Sequence, residues 1–130
     1  MVIYTTYKGQ TARAIVWKRL YPYLLESYKD RARTERWFES SEPLLIVSRS
    51  REGFPESYLL LSVDPDSLQR VRLLYTFPDA RNRGLGTELL AYAAATYSFV
   101  FYPGDSALER MARRAQLVWE WKIQGYRSLV

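Results

Sequence analysis

The stretch that most constrains this chain is "RVRLLYTFPDARNRGLGTELLAYAAATYSFVFY", residues 70–102. Its first eight residues, "RVRLLYTF", have the β-branched and aromatic character of a strand. A turn with two glycines follows, then strong helix formers from about Gly86 to Thr96, then "YSFVFY" (97–102) as another strand. A strand, a helix and a strand in sequence form a crossover, and a crossover brings the chain back to run parallel to its first strand. Any fold for this sequence therefore needs at least one parallel strand pair.

The flanks set the rest of the sheet. "VIYTTY" (2–7) reads as a first strand, and after the "KGQ" turn Thr11 can cap a helix with Ile15, Val16 and Leu20 on its apolar side. Pro22 interrupts that helix and, as a first-turn residue, starts a second one toward Phe38. "PLLIVSRS" (43–50) and "SYLLLSVD" (57–64) are strands joined by the hairpin connection "REGFPE", and "DPDSLQ" turns the chain into the strand at 70–77. Beyond "PGD", the string "SALE" (106–109) has the form of a capping box, with a long helix expected to about Gln124 and Gly125 at its C′ position. The expected order is β-α-α-β-β-β-α-β-α. The fold class is α/β, with a mixed, mostly antiparallel sheet around one central β-α-β crossover in a single domain of residues 1–130.

Composition narrows the chemistry. The 130 residues include no cysteine and no histidine. Disulfides, thiolate nucleophiles and a Ser-His-Asp triad are excluded, and the usual zinc and iron sites lose their main ligands, so no metal is expected. No stretch is apolar enough to span a bilayer and the first residues lack a signal-peptide pattern, which makes a cytoplasmic protein with no membrane partner the expectation. A net charge of +5, with 15 arginines among 19 basic residues, favours an anionic partner.

The glycine turn fits such a partner. The first N–H groups of a helix lack intrahelical acceptors and carry the positive end of its dipole. Gly84 and Gly86 keep side chains away from those amides, Arg81 and Arg83 add charge, and Thr87 offers a hydroxyl. A plain tight turn feeding a core helix would use the same glycines. "GLGTELL" is neither a Walker loop, since no Gly-Lys-Ser/Thr follows, nor a dinucleotide fingerprint, since the third glycine is missing.

"FPDARNRGLGTELLAYA" resembles the acyl-CoA loop of the GNAT superfamily, the acyl-CoA-dependent N-acyltransferases. That pattern is Arg or Gln, two residues, Gly, one residue, then Gly or Ala, opening a helix that often begins with Leu-Leu. Arg81, Gly84 and Gly86 meet it, Leu89 and Leu90 follow, and Pro78 stands where the family commonly has proline. The resemblance implies acyl transfer, most simply acetyl transfer, from acetyl-CoA or another acyl-CoA to an amine of unknown class. It further implies that the CoA pyrophosphate rests on the loop formed by Arg81, Asn82, Arg83, Gly84, Leu85, Gly86 and Thr87. The pantetheine arm would pair with Leu74, Tyr75 and Thr76, between two strands that splay apart.

The sequence also departs from that family. Its usual acid is a tyrosine four residues before a Gly-Phe pair in the last helix, and counting back from Gly125–Tyr126 reaches Trp121, which cannot protonate a thiolate. The strand at 70–77 carries no carboxylate to act as base. The chain ends too soon after Gly125 for the family's C-terminal β-hairpin, so that hairpin is expected to be missing and a homodimer would cover the exposed sheet edge. Tyr102, Ser106 and Tyr126 are the candidates for a catalytic hydroxyl. Ser106 is explained by its capping role and Tyr102 by packing, while Asp105 and Glu88 complement helix dipoles.

The basic and aromatic segments "WKRLYPY" (17–23) and "YKDRARTERW" (28–37) lie where this family often receives its acceptor. Aromatics and arginines suit nucleic acid, and small relatives of the fold modify bases in DNA. An amphipathic helix pair with solvated charges explains the same pattern. Two readings thus stand beside acyl transfer to a small amine: a nucleic-acid-modifying relative, and a non-catalytic module that binds nucleic acid or protein.

Overall fold

The computed structural model describes residues 2–27, 31–40, 42–63 and 68–128. Among these residues seven strands form one sheet: β1 (Ile3–Lys8), β2 (Glu42–Arg49), β3 (Pro55–Val63), β4 (Gln69–Thr76), β5 (Val100–Phe101), β6 (Val118–Glu120) and β7 (Gly125–Arg127). Their order across the sheet is β1-β2-β3-β4-β5-β7-β6. Every neighbouring pair is antiparallel except β4 and β5, the pair that the crossover demands.

Helices cover both faces. Helices α1 (Gly9–Ile15), α2 (Tyr21–Ser27) and α3 (Arg31–Ser40) lie on one. Ala12, Val16, Leu20, Leu24 and Phe38 there meet Leu45, Val47, Tyr58, Leu60 and Leu73. Helices α4 (Leu85–Ala94) and α5 (Ser106–Arg114) lie on the other, where Leu89, Leu90 and Ala112 meet Leu44, Ile46, Leu59 and Leu61. Alternate residues of β2 and β3 thus serve opposite cores, which is why "LLIV" and "YLLL" are unbroken apolar runs. Each strand buried on both faces removes far more apolar surface than a one-faced strand, at about 25 cal/mol per Å². Strands β2 and β3 anchor the fold.

Four sequence expectations are corrected. Pro22 does not interrupt the first helix. The helical run is continuous from Gly9 to Ser27, with a wider π-turn at Val16–Leu20 that ends two residues before the proline. Pro22 has no N–H for the carbonyl four residues back, and a five-residue repeat routes the ladder around it. The segment 97–102 forms only two residues of strand, because the Phe99 amide donates to Ser128 Oγ (2.7 Å) and that hydroxyl donates to the Tyr97 carbonyl (3.0 Å). The cap of α5 is Asp105, whose carboxylate accepts from the Leu108 amide at 2.9 Å, and Ser106 is the first helical residue.

The fourth correction is the largest. Helix α5 stops at Arg114, not near Gln124, and the chain goes on to build the C-terminal hairpin β6–β7. Gln116 adopts a left-handed φ of 64° and ends the helix without a glycine to announce it. Gly125 is not a helix terminator but the first residue of β7. Its missing side chain leaves room for the Tyr102 ring, whose carbons lie 2.7 Å from where a Cβ would stand. The hairpin completes the sheet, so the reason given for a homodimer falls away.

The turn "DPDSLQ" falls largely outside the described residues, as does the start of "YKDRARTERW".

Candidate cofactor groove and acyl-transfer site

The site begins with a defect in β4. Leu60 pairs with Leu73 and Leu61 with Val71, which leaves Arg72 as a bulge. A bulge bends its strand away from regular pairing. On its other side β4 meets β5 at one position, Arg70 opposite Val100, and beyond it the two strands diverge. Leu74, Tyr75 and Thr76 therefore have β3 as their one strand neighbour among the described residues, and the other edge of β4 is open there. This is the splay that the resemblance implied, produced by a bulge and a short β5.

The loop that leaves β4 turns through Pro78–Ala80 and two left-handed residues, Asn82 (φ 66°) and Gly84 (φ 72°). The first helical bond of α4 runs from the Glu88 amide to the Gly84 carbonyl at 3.0 Å. The amides of Leu85, Gly86 and Thr87 precede it, and among the described residues they have no acceptor. They are the unsatisfied donors of a helix N-terminus, facing an open groove.

The two glycines serve different ends. A Cβ on Gly84 would meet nothing within 4 Å, so that residue is there for its backbone conformation. A Cβ on Gly86 would lie 3.1 Å from Met111 Cε, so that glycine lets α5 approach α4.

That approach makes the groove. It has a volume of about 410 Å³, and residues of the loop and α4 form one wall. Ala107, Arg110, Met111 and Arg114 of α5 form the other. Arg81, Arg110 and Arg114 bring three guanidinium groups, and among the described residues no carboxylate lines the groove. These α5 residues were missed in the sequence, although their spacing of three and four places them on one helix face.

Of the loop residues expected to bind cofactor, Arg81, Asn82, Gly84, Leu85, Gly86 and Thr87 line this groove, and Thr76 lines it from β4. Arg83 does not. It is paired with Glu56 and bonded to the Ala80 carbonyl at 3.4 Å, so its charge braces the loop against β3. Arg81 Nε donates to the Thr76 carbonyl at 2.9 Å, and its guanidinium lies 5.6 Å from the centre of the Tyr75 ring. Tyr75 in turn stacks on Tyr23 of α2 at 4.0 Å. The hydrogen bond with Tyr23, then burial, push the Tyr75 phenol above its ordinary value, with Arg81 opposing them. Leu74 points to the α4–α5 side, with its Cδ2 3.8 Å from the Gly86 Cβ position.

The three candidate hydroxyls separate cleanly. Tyr126 is buried, and its hydroxyl donates to Glu109 Oε1 and accepts from Arg113 Nε, each at 3.0 Å. Glu109 and Arg113 are on the α5 face opposite Ala107, Arg110, Met111 and Arg114, so this hydroxyl is turned away from the groove. Ser106 is exposed at the start of α5. Tyr102 follows β5 directly, where that strand leaves β4, and its hydroxyl accepts from Arg70 Nη1 across the splay at 2.7 Å.

No protein-family model and no curated protein sequence matches the chain. Solved structures do match its fold. An IAA acetyltransferase from Bacillus cereus ATCC 14579 aligns with a TM-score of 0.56 at 14% identity, covering 85% of this chain and 72% of that one. A GNAT-family acetyltransferase from Bacillus cereus ATCC 10987 aligns with a TM-score of 0.57 at 10% identity, covering 96% of this chain and 93% of that one.

The chain has the GNAT fold.

A tandem GNAT protein from the clavulanic acid biosynthesis pathway aligns with a TM-score of 0.57 at 18% identity, over 93% of this chain and 45% of that one. Gly125 begins β7 and does not end a helix, so Trp121 is not the helical residue that the sequence count expects. Trp121 is in the β6–β7 turn and 75% exposed. The residue that ends the helix is Gln116, and four residues before it stands Ala112, fully buried. The side chain there is a methyl group, which has no proton to donate. Among the described residues, no cluster of His, Cys, Asp and Glu could hold a metal ion, and no helix is long and apolar enough to cross a membrane.

Proposed function

We propose that this chain transfers an acyl group from acyl-CoA, most simply acetyl-CoA, to an amine. The observation that carries this reading is continuity: the anion groove at the start of α4 leads directly to the open edge of β4 at the splay. The loop amides and Arg81 bind the diphosphate. The backbone groups that the open edge of β4 presents between Leu74 and Thr76, apart from the Thr76 carbonyl that Arg81 holds, take the amide-bearing arm as a further strand would. From Thr76 back to Arg72, β4 spans about 13 Å at ~3.3 Å per residue. The arm thus carries the thioester toward the base of the splay, where Tyr102 and Arg70 meet.

At that base we assign Tyr102 as the proton donor. The neutral amine attacks the thioester carbonyl and a C–N bond forms. The C–S bond then breaks, the sulfur leaves as thiolate and takes the Tyr102 proton, and the amine's surplus proton passes to water. Arg70, held on the Tyr102 oxygen, stabilises the phenolate until solvent reprotonates it.

Calorimetric titration with acetyl-CoA, beside Gly84→Glu, tests the groove. Saturable binding that the variant loses supports the reading, and a folded wild-type protein that binds nothing refutes it. Tyr102→Phe should then keep acetyl-CoA affinity while kcat falls about a hundredfold. Ala112 favours a second reading, a fold that binds CoA without transferring its acyl group. Tight binding with no transfer to any of a broad set of amines would select that one.

A further inference from the structure

We infer that Arg110 and Arg114 of α5 read the 3′-phosphate of the CoA nucleotide, so that this site selects free CoA thioesters over donors that lack that phosphate. The inference rests on the acyl-CoA reading above. Three arginines stand on α5's last turns, and the structure divides them. Arg113 is tied to Glu109 and Tyr126 on the far face of the helix. Arg110 and Arg114 are exposed, line the groove, and make no hydrogen bond or ion pair among the described residues.

An exposed pair of like charges one helical turn apart destabilises a helix slightly. Among the described residues no carboxylate is bonded to either guanidinium, and an anion in the groove would offset the charge of the pair. The diphosphate has its own donors on the opposite wall, in the amides of Leu85, Gly86 and Thr87. What the α5 wall adds is a second anion site of a different kind. Two guanidinium forks suit a dianionic phosphate monoester, which presents three terminal oxygens, better than a bridging diphosphate with one charge on each phosphorus. CoA carries both groups on one molecule, and the groove offers donors on two walls.

The test is calorimetric titration of the folded protein with CoA and with dephospho-CoA, which lacks only the 3′-phosphate. Wild type should bind CoA about tenfold more tightly, the equivalent of one charge-assisted contact at an exposed site. In the double variant Arg110→Gln/Arg114→Gln, CoA affinity should fall to the dephospho-CoA level and dephospho-CoA affinity should not change. Arg51→Gln, which removes one charge in the β2–β3 turn, should leave the ratio intact. Equal wild-type affinities, or a preference that survives in the double variant, would overturn the inference while leaving acyl-CoA binding in place. Failure of both ligands to bind would overturn the acyl-CoA reading and this inference with it.

Discussion

Gly84 and Gly86 are separated by one leucine, and the structure predicts that they fail for different reasons. Gly84 has φ 72° and ψ 13°, and a Cβ there meets nothing within 4 Å. Gly84→Ala therefore creates no clash, only a left-handed alanine. That conformation costs about 1–2 kcal/mol, and the reduced freedom of the unfolded chain returns about half a kcal/mol or more. The net loss of about 1 kcal/mol should lower the melting temperature by about 3–5 °C for a domain of this size. Gly84→Asn should recover part of that loss, because asparagine tolerates the left-handed region, as Asn82 does two residues earlier. Gly86→Ala instead places a Cβ 3.1 Å from Met111 Cε, the end of a flexible and partly exposed side chain, so its cost depends on whether that thioether turns aside. Thermal melts by circular dichroism give the comparison directly. An alanine at 84 that melts with wild type, or an asparagine that melts no higher than the alanine, would refute the conformational argument.

Two further predictions follow from the geometry. Tyr126→Phe keeps the buried ring and removes the hydroxyl shared by Glu109 and Arg113, so stability should fall by about 1 kcal/mol with acyl transfer unchanged; an activity loss matching that of Tyr102→Phe would show the wrong hydroxyl had been assigned. The Tyr21 hydroxyl, at 2.6 Å, and then Arg31, at 3.0 Å, hold the Glu35 carboxyl below its ordinary value of 4.5. A lowered folded-state value adds stability that is fully present above the ordinary value and is lost as the pH falls through the lowered one. The urea midpoint of wild type should thus exceed that of Glu35→Gln at neutral pH and converge with it below pH 4.5, and a gap that persists in acid would contradict the ion-pair origin.

How much was legible in the sequence depended on the range of the interaction that fixes each part. The runs at 43–50 and 57–64 became β2 and β3 within one or two residues, because strands buried on both faces must be apolar throughout, and the β-branched and aromatic run at 70–77 became β4 within one. The glycine loop was legible for a related reason. A left-handed residue at a helix start is a local requirement, and Gly84 meets it visibly. The crossover, and with it the parallel pair, followed from element order alone.

Tertiary structure decided the rest. "AQLVWEWKIQGYR" carries apolar residues at spacings that suit a helix, and no glycine or proline marks the break at Gln116. The segment becomes a hairpin because β5 has an open edge and β7 fills it, a pairing with residues some twenty-five positions away. Arg83 reads as a phosphate ligand until β3 brings Glu56 to it, and nothing in the sequence singles out Arg110 and Arg114 until the absent Cβ of Gly86 lets α5 close the groove. A sequence displays the demands of its own backbone turn by turn; it does not display which distant charge or strand edge will meet a side chain. The cradle for an anion was therefore written locally, and its second wall existed only once α5 had packed against α4.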